Sequence, residues 1–526
     1  MRAASLLLLV AWCSLIQSFG AQYYVRTDGN NSNTGLTDSA GGAFLTIQFA
    51  ANTAVAGDTV TVKAGTYSEN VDITTADGSS GSPITFQASG VVNVQAFYTS
   101  RPWIVFDGFT MNGSAPTRGA LIQSSGSLGV LGNAHNVVVK NCTFICDTVG
   151  QYHLISYGTN WIVNSNRFLQ TWRAGVSLAG HSHIVTNCFF SATNGADCML
   201  IVGHNMRITG NLITNWSGRT VANESLKVGM TYWFVSTNGT PSDFSNVGAG
   251  TWPYILGESY FGGHDGFTAT GTTPTAWGGT VLDTSNHPDL IQASESFGYP
   301  PATNNLFESN KIFDLHAAQL GNISDDGSTG NVQDWIFRNN LFVRVDRTMN
   351  LFAPGFRFYH NTFYRSPTNQ SQFVIYGASA AGTASNLWIA NNIFFECSED
   401  PASTTKGWYG GDVLAGQMMD YNLVIGTGAG TTKSGASWNA EGRESHGING
   451  QDPLFVDAAN LDFRVLSGSP ALNAGTNLVL EVGTDILGNA RDSTPTIGAY
   501  ESAGEAISDP ASGSRPNRLR GVRLNR

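Results

Sequence analysis

A short pattern recurs along this chain at fixed offsets. In Trp335-Ile336-Phe337-Arg338-Asn339-Asn340-Leu341-Phe342, apolar residues stand five and three positions before Asn340, and another stands two after it. Phe356, Phe358, Asn361 and Phe363 repeat the arrangement, as do Leu387, Ile389, Asn392 and Phe394. Met206 and Ile208 lead to Asn211 and Ile213, Trp161 and Val163 to Asn166 and Phe168, and Phe307 to Asn310 and Ile312. The alternation is that of a strand with one buried face. The asparagine marks a turn, where its side chain tolerates left-handed backbone and bonds locally. Val137, Val139 and Phe144 keep the pattern with Cys142 in the slot, and Val185 and Phe190 keep it with Cys188. With Trp233, Val235 and Asn238, the slots fall at 142, 166, 188, 211 and 238. A near-constant period of this length is a coil of short strands.

The repeat therefore predicts an all-β solenoid, a single-stranded parallel β-helix whose slot side chains stack in a ladder. Parallel connections are overwhelmingly right-handed, so a right-handed coil is expected. A β-sandwich would need hairpin turns that the repeat lacks. Cys142 and Cys188 lie two rungs apart, too far for a disulfide. No cysteine spacing resembles a zinc site, and buried small apolar residues are the reading of the cysteines.

Residues 1–20 read as a signal peptide, with Arg2 before an apolar run and small residues at Ser18 and Gly20. No later stretch has the length and apolarity of a membrane span. An exported monomer, secreted, periplasmic or at the cell surface, is expected. A net charge of −11 argues against nucleic acid as a partner. Residues 21–100 read as an N-terminal cap and first rungs, with a short helix over Phe44–Ala51. Residues 101–430 form the coil, with an insertion at 239–286. Residues 431–501 give C-terminal rungs and a cap, and 502–526 a disordered basic tail.

Tyr23-Tyr24-Val25, Thr46-Ile47-Gln48, Gly57-Asp58-Thr59-Val60, Gly65-Thr66-Tyr67 and Pro83-Ile84-Thr85-Phe86 open the mature chain. Asp452-Pro453-Leu454-Phe455, Gly468-Ser469-Pro470-Ala471 and Ile497-Gly498-Ala499-Tyr500-Glu501 close it. On these segments and the repeats, the chain resembles the pectate-lyase-like superfamily, exported bacterial type. That resemblance covers nearly the whole mature chain and implies polysaccharide lyases, glycoside hydrolases, epimerases and some non-catalytic members. No motif of one characterised enzyme family is present, so no catalytic residue is carried over.

Aligning the strands that follow each slot gives two polar columns. The first holds Arg173, Asp197, Glu224, Asp289, His316 and Arg347; the second holds Val176, Leu200, Lys227, Gln292, Gln319 and Asn350. Asp197, Glu224 and Asp289 would form an acidic row suited to Ca²⁺, which takes carboxylate and amide oxygens. Lys227, His287 or His316 is then a candidate base for proton abstraction, and Arg347 a further catalytic cation. Arg173, Gln292, Gln319 and Asn350 are candidate substrate-binding residues. The chemistry expected is β-elimination on a uronic-acid polysaccharide. The alternatives are a hydrolase using paired carboxylates and a non-catalytic carbohydrate-binding or surface protein. Solvated charges on an outer face are the plain reading of the same columns. His153, His181 and His183, on early rungs, are expected to be structural or solvated.

Overall fold

The computed structural model describes residues 20–112, 119–127, 130–145, 152–170, 174–192, 197–216, 220–221, 231–237, 246, 266–268, 270–275, 279–283, 289–294, 302–315, 321–324, 332–345, 349–365, 373–377, 385–397, 407–411, 418–425 and 444–501. The signal peptide, apart from Gly20, and the basic tail lie outside them.

The chain winds as a right-handed parallel β-helix with three strands per rung. The first sheet runs from Ile104–Asp107 to Met418–Asp420, the second from Thr110–Asn112 to Leu423–Ile425, and the third from Ala120–Ser124 to Gly407–Gly411. Each strand pairs in parallel with its equivalents one rung away, as in Val163↔Val185 and Phe363↔Phe394. At the N-terminal end, the long strand Ile84–Thr99 serves all three sheets, pairing with Ile104–Asp107, Thr110–Asn112 and Ala120–Ser124. A helix, Ile47–Thr53, closes this end with Ile47, Ala50 and Ala51 buried; Thr46 caps it by accepting from the Phe49 N–H.

Alternation aims one residue in two at the axis. Phe144, Phe168 and Phe190 stack there with centroids 4.8 and 4.6 Å apart, and Phe342, Phe363 and Phe394 do the same at 4.6 and 4.9 Å. The slot residues form a continuous internal ladder. Asn166 Oδ1 accepts the Cys142 N–H at 2.9 Å, and Asn211 Oδ1 accepts the Cys188 N–H at 2.9 Å. From Asn211 the chain of side-chain amides runs through Asn310, Asn340, Asn361, Asn392 and Asn422, each link 2.9–3.1 Å. It ends on the buried Glu444, whose Oε1 accepts from Asn422 Nδ2 at 2.7 Å. Cys142, Cys188, Cys198 and Cys397 are buried free thiols.

A second turn has its own internal acceptors. Asn305 Oδ1 takes the Met206 N–H at 2.8 Å, and His183 Nδ1 takes the Trp161 N–H at 3.0 Å. His183 is thus a structural member of the turn, as its place on an early rung suggested. His153 is also internal, stacked on Phe168 and tilted against Phe144.

Two boundaries differ from the sequence reading. Asn211 bonds directly to Asn310, and Leu212–Thr214 pairs with Lys311–Leu315. No rung intervenes, so the insertion spans 217–288 rather than 239–286. The segment Thr231–Thr237 is not the rung leading to a slot at 238. It pairs antiparallel with Gly266–Thr268 and Gly279–Asp283, which also pairs with Thr220–Val221. Alternation with period two is common to parallel and antiparallel strands, so Trp233 and Val235 mimicked the repeat.

The closing segment also differs from a simple end cap. Residues 452–501 double back along the flank. Asn391 Nδ2 donates to Thr476 O, Asn339 Nδ2 to Thr484 O, and His360 Nδ1 to Thr496 O, so the strap runs down past three rungs and then returns, the Gly498 N–H reaching Asn391 O. The fully buried Arg491 side chain binds Asn339 Oδ1 and Glu501 Oε2, at 2.9 and 2.8 Å. Beneath the strap, the second sheet is apolar on both faces. Leu341, Val343, Ile393 and Leu423 point outward into Phe463, Val465, Ile497 and Ala499. On uncovered rungs the same outward columns are mixed, with Thr143, Arg167, Lys311 and Thr214 beside Phe189 and Leu212.

Candidate functional site

The third sheet carries the candidate residues, because its strands follow the variable connections. Met199–His204 pairs with Ile291–Ser294 in the register Met199↔Ile291 and Leu200↔Gln292. Just before these strands the backbone stays paired: the Cys198 N–H donates to Asp289 O at 2.6 Å, and Met199 N–H to Leu290 O at 3.0 Å. Asp197 and Asp289 are therefore next neighbours on successive rungs, ~4.8 Å apart along the axis. The Asp289 N–H reaches Asp197 Oδ1 at 3.4 Å. Asp289 is 1% exposed, and Asp197 is half-buried.

Between them in the chain lies the entire insertion. It leaves the coil after Trp216, a fully buried anchor, and returns at Asp289. No rung stands between the two aspartates, where the sequence alignment puts the strand of Glu224. The chain position of Glu224 is between two strands of the insertion's antiparallel sheet.

Gln292 is half-buried, one face over from Asp289. Its column continues through Asn322 to Asn350 and then Tyr376. Gln292 and Asn350 thus share a column, as read from the sequence, but Asn322 takes the place expected for Gln319. The connection before Gly321 is longer than the alignment allowed, which displaces the His316–Gln319 block by three residues. On the other side, Val176↔Met199 sets Ala174, not Arg173, opposite Asp197. A one-residue slip in a strand moves a side chain to the other face. Arg173, Glu224, Lys227, His287, His316, Gln319 and Arg347 lie outside the described residues. For Asn350 the register alone is described. Asn322 was missed because nothing in its local sequence distinguishes it from a loop asparagine.

Cys198, next to Asp197, is fully buried. Burial, reinforced by the Asp197 charge, raises its thiol well above the ordinary range. Among the described residues, no three His, Cys, Asp or Glu side chains converge to hold a metal ion. The described oxygen donors here are two carboxylates and an amide, a set of the type that hard cations accept.

Comparisons with known proteins return structures only. No family model and no curated protein matches the chain. Pectate lyase Pel9A is similar at 13% identity over 92% of this chain and 97% of that one, with a TM-score of 0.43. XylC, solved in complex with xylose, is similar at 9% identity over 92% and 99%, with a TM-score of 0.48. The PL6 family polysaccharide lyase Pedsa3628 from Pseudopedobacter saltans aligns at 15% identity over 74% and 92%, with a TM-score of 0.40. The likeness is one of fold alone. The β-helix assignment stands on the strand pairing itself. No helix among the described residues is long and apolar enough to cross a membrane.

Proposed function

We propose that this chain is an exported carbohydrate-active enzyme that cuts a uronic-acid-containing polysaccharide by β-elimination. The supporting observation is the Asp197–Asp289 pair on adjacent rungs, one half-buried and one buried, at the point where the insertion rejoins the coil. Loops on a rigid scaffold commonly carry the working groups. Gln292, half-buried in the neighbouring column, would offer its amide to sugar hydroxyls, and Asn322 and Asn350 follow it in register on the next rungs.

Asp197 and Asp289, with Glu224 as the third carboxylate expected from the sequence, would hold Ca²⁺, which when bound neutralises a uronate carboxylate and acidifies the adjacent C5 proton. The base that removes that proton is sought among Lys227, His287 and His316, with Arg347 as a charge partner. Arg173, Gln319 and Asn350 remain proposed contacts to the polymer.

The adjacency of the two aspartates also favours a second reading. One rung step approaches the roughly 5–5.5 Å carboxyl separation of retaining glycosidases, and the buried Asp289 would serve as the acid. A depolymerisation screen separates the two. Pectate, alginate, glycosaminoglycans and neutral glycans are incubated with the pure protein, with Ca²⁺ or chelator. Ultraviolet absorbance of unsaturated ends rising with reducing ends, and falling with chelator, is the expected result. Reducing ends without absorbance would establish hydrolysis. Asp289→Asn should lower turnover at least ~100-fold while circular dichroism stays unchanged. Silence across the panel would leave a non-catalytic binding protein.

A further inference from the structure

The first sheet carries a second surface of different chemistry. Val105, Val138, Ile162 and Ile184 are paired neighbours on four consecutive rungs, and all point outward. Ile162 is 39% exposed. They form the floor of a groove of about 360 Å³, bounded by Pro83 at one end. Arg207 follows Ile184 in the same column and marks the other end. Four solvent-facing aliphatics in line on consecutive rungs make a continuous apolar strip, the kind of surface that takes an occupant.

One wall of the groove is a column of turn residues. Trp103, Asn136, Asn160 and Ser182 line it, all with left-handed backbone at φ 57–60°. The later turns of this column use Asn205, Asn304, Asp334, Gly355 and Asn386, residues that tolerate that conformation. Trp103 is the exception, with φ 59°. A bulky side chain held there is an outlier that the fold does not require, since asparagine serves on the next rung. Beside it, Asn160 Nδ2 donates to Asn136 Oδ1 at 3.2 Å. That geometry still leaves amide N–H groups of Asn136 and the carbonyl oxygen of Asn160 as capacity for a ligand.

We infer that this groove binds a neutral glycan chain, at a site separate from the acidic pair on the third sheet. An aromatic ring and an aliphatic floor suit the apolar faces of pyranose rings. The amides and hydroxyl of the wall suit their equatorial hydroxyls. The lining between Pro83 and Ile184 carries no charged side chain, Arg207 standing beyond it, and this favours an uncharged sugar over a uronate. Four rungs at ~4.8 Å spacing give a floor of about 14 Å, room for a short run of sugars rather than one.

The test is affinity electrophoresis of the full chain in native gels containing mixed-linkage β-glucan, arabinoxylan or glucomannan, with polygalacturonate as the charged control. Retardation by at least one neutral glycan is expected. Trp103→Asn should weaken it by about tenfold or more, the weight of one aromatic contact. Because asparagine fits the left-handed turn, this variant should keep or raise the thermal midpoint, so lost binding would not reflect unfolding. Asp289→Asn should bind as the wild type does, which keeps this site distinguishable from the proposed catalytic one. The inference is overturned if no neutral glycan retards the protein, if Trp103→Asn binds unchanged, or if only polygalacturonate retards it. A dimer in sedimentation that Trp103→Asn dissolves would assign the groove to self-association instead.

Discussion

His153 and His183 are fully buried, and burial lowers their pKa from 6.5 to about 3 and about 4. The unfolded chain binds the extra protons in that interval, so their contribution to stability is complete above 6.5 and lost as pH falls towards 4 and 3. Glu444 acts in the opposite sense. Burial raises it from 4.5 to about 7, against the hydrogen bonds from Asn422 that favour its charged form. The native state then holds a proton that the unfolded chain releases, and stability falls as pH rises from 4.5 to 7. Glu444→Gln should abolish that decline. Urea midpoints of the two proteins compared across the interval will converge or diverge accordingly; parallel curves would show that Glu444 is ionised throughout. None of this was legible in the sequence, where Glu444 sits in a polar stretch without the slot pattern.

The ladder is the element that the sequence announced most clearly. Asn340 shows why its residue type is fixed. Its Oδ1 accepts both the Asn310 N–H and the Asn310 amide, and its Nδ2 donates to Phe307 O and to Asn361 Oδ1. Asn340→Ala would strand these buried partners at a cost of roughly 3 kcal/mol. The denaturant midpoint should drop with an unchanged slope; a midpoint equal to wild type would mean water replaces the amide. The same slot tolerates Cys142 and Cys188 because their own backbone N–H groups donate to Asn166 Oδ1 and Asn211 Oδ1 on the next rung. Strands on either side of the slot were placed by counting from it. The third sheet was not, because its strands follow connections of unequal length. Counting kept Asp197 and Asp289 in one column but put a rung between them that the coil lacks, and it slipped by one residue at Arg173 and by three at Gln319. The insertion boundary failed for another reason: an antiparallel strand with Trp233 and Val235 has the same alternation as a rung.

Taken as one object, the molecule is asymmetric along its axis. The early rungs stand with one face wet, while the late rungs are wrapped by residues 452–501. Outward Leu341, Val343, Ile393 and Leu423 belong to the core only because that strap lies over them. Ending the chain at residue 451 would expose these side chains and the left-handed turn residues Asn339, His360 and Asn391. The shortened protein should show a lower thermal midpoint and should self-associate in light scattering, since exposed apolar sheet invites pairing. Hydrogen exchange should quicken in the late rungs and stay slow near Phe86 and Phe106, because rungs interact mainly with neighbours. A monomeric truncation with an unchanged midpoint would mean that the strap is dispensable.

Asn211 and Asn310 are 99 positions apart in the chain, yet their amides touch at 2.9 Å. Between them lie one ordinary turn of the coil and, within it, the detour of residues 217–288. The entropy of such a closure grows only with the logarithm of its length. New material can therefore be grafted at this seam, lengthened or exchanged, while the axis that carries Asp197 and Asp289 keeps its register. Diversity among relatives of this protein should concentrate there, and a chimera that swaps residues 217–288 should still coil.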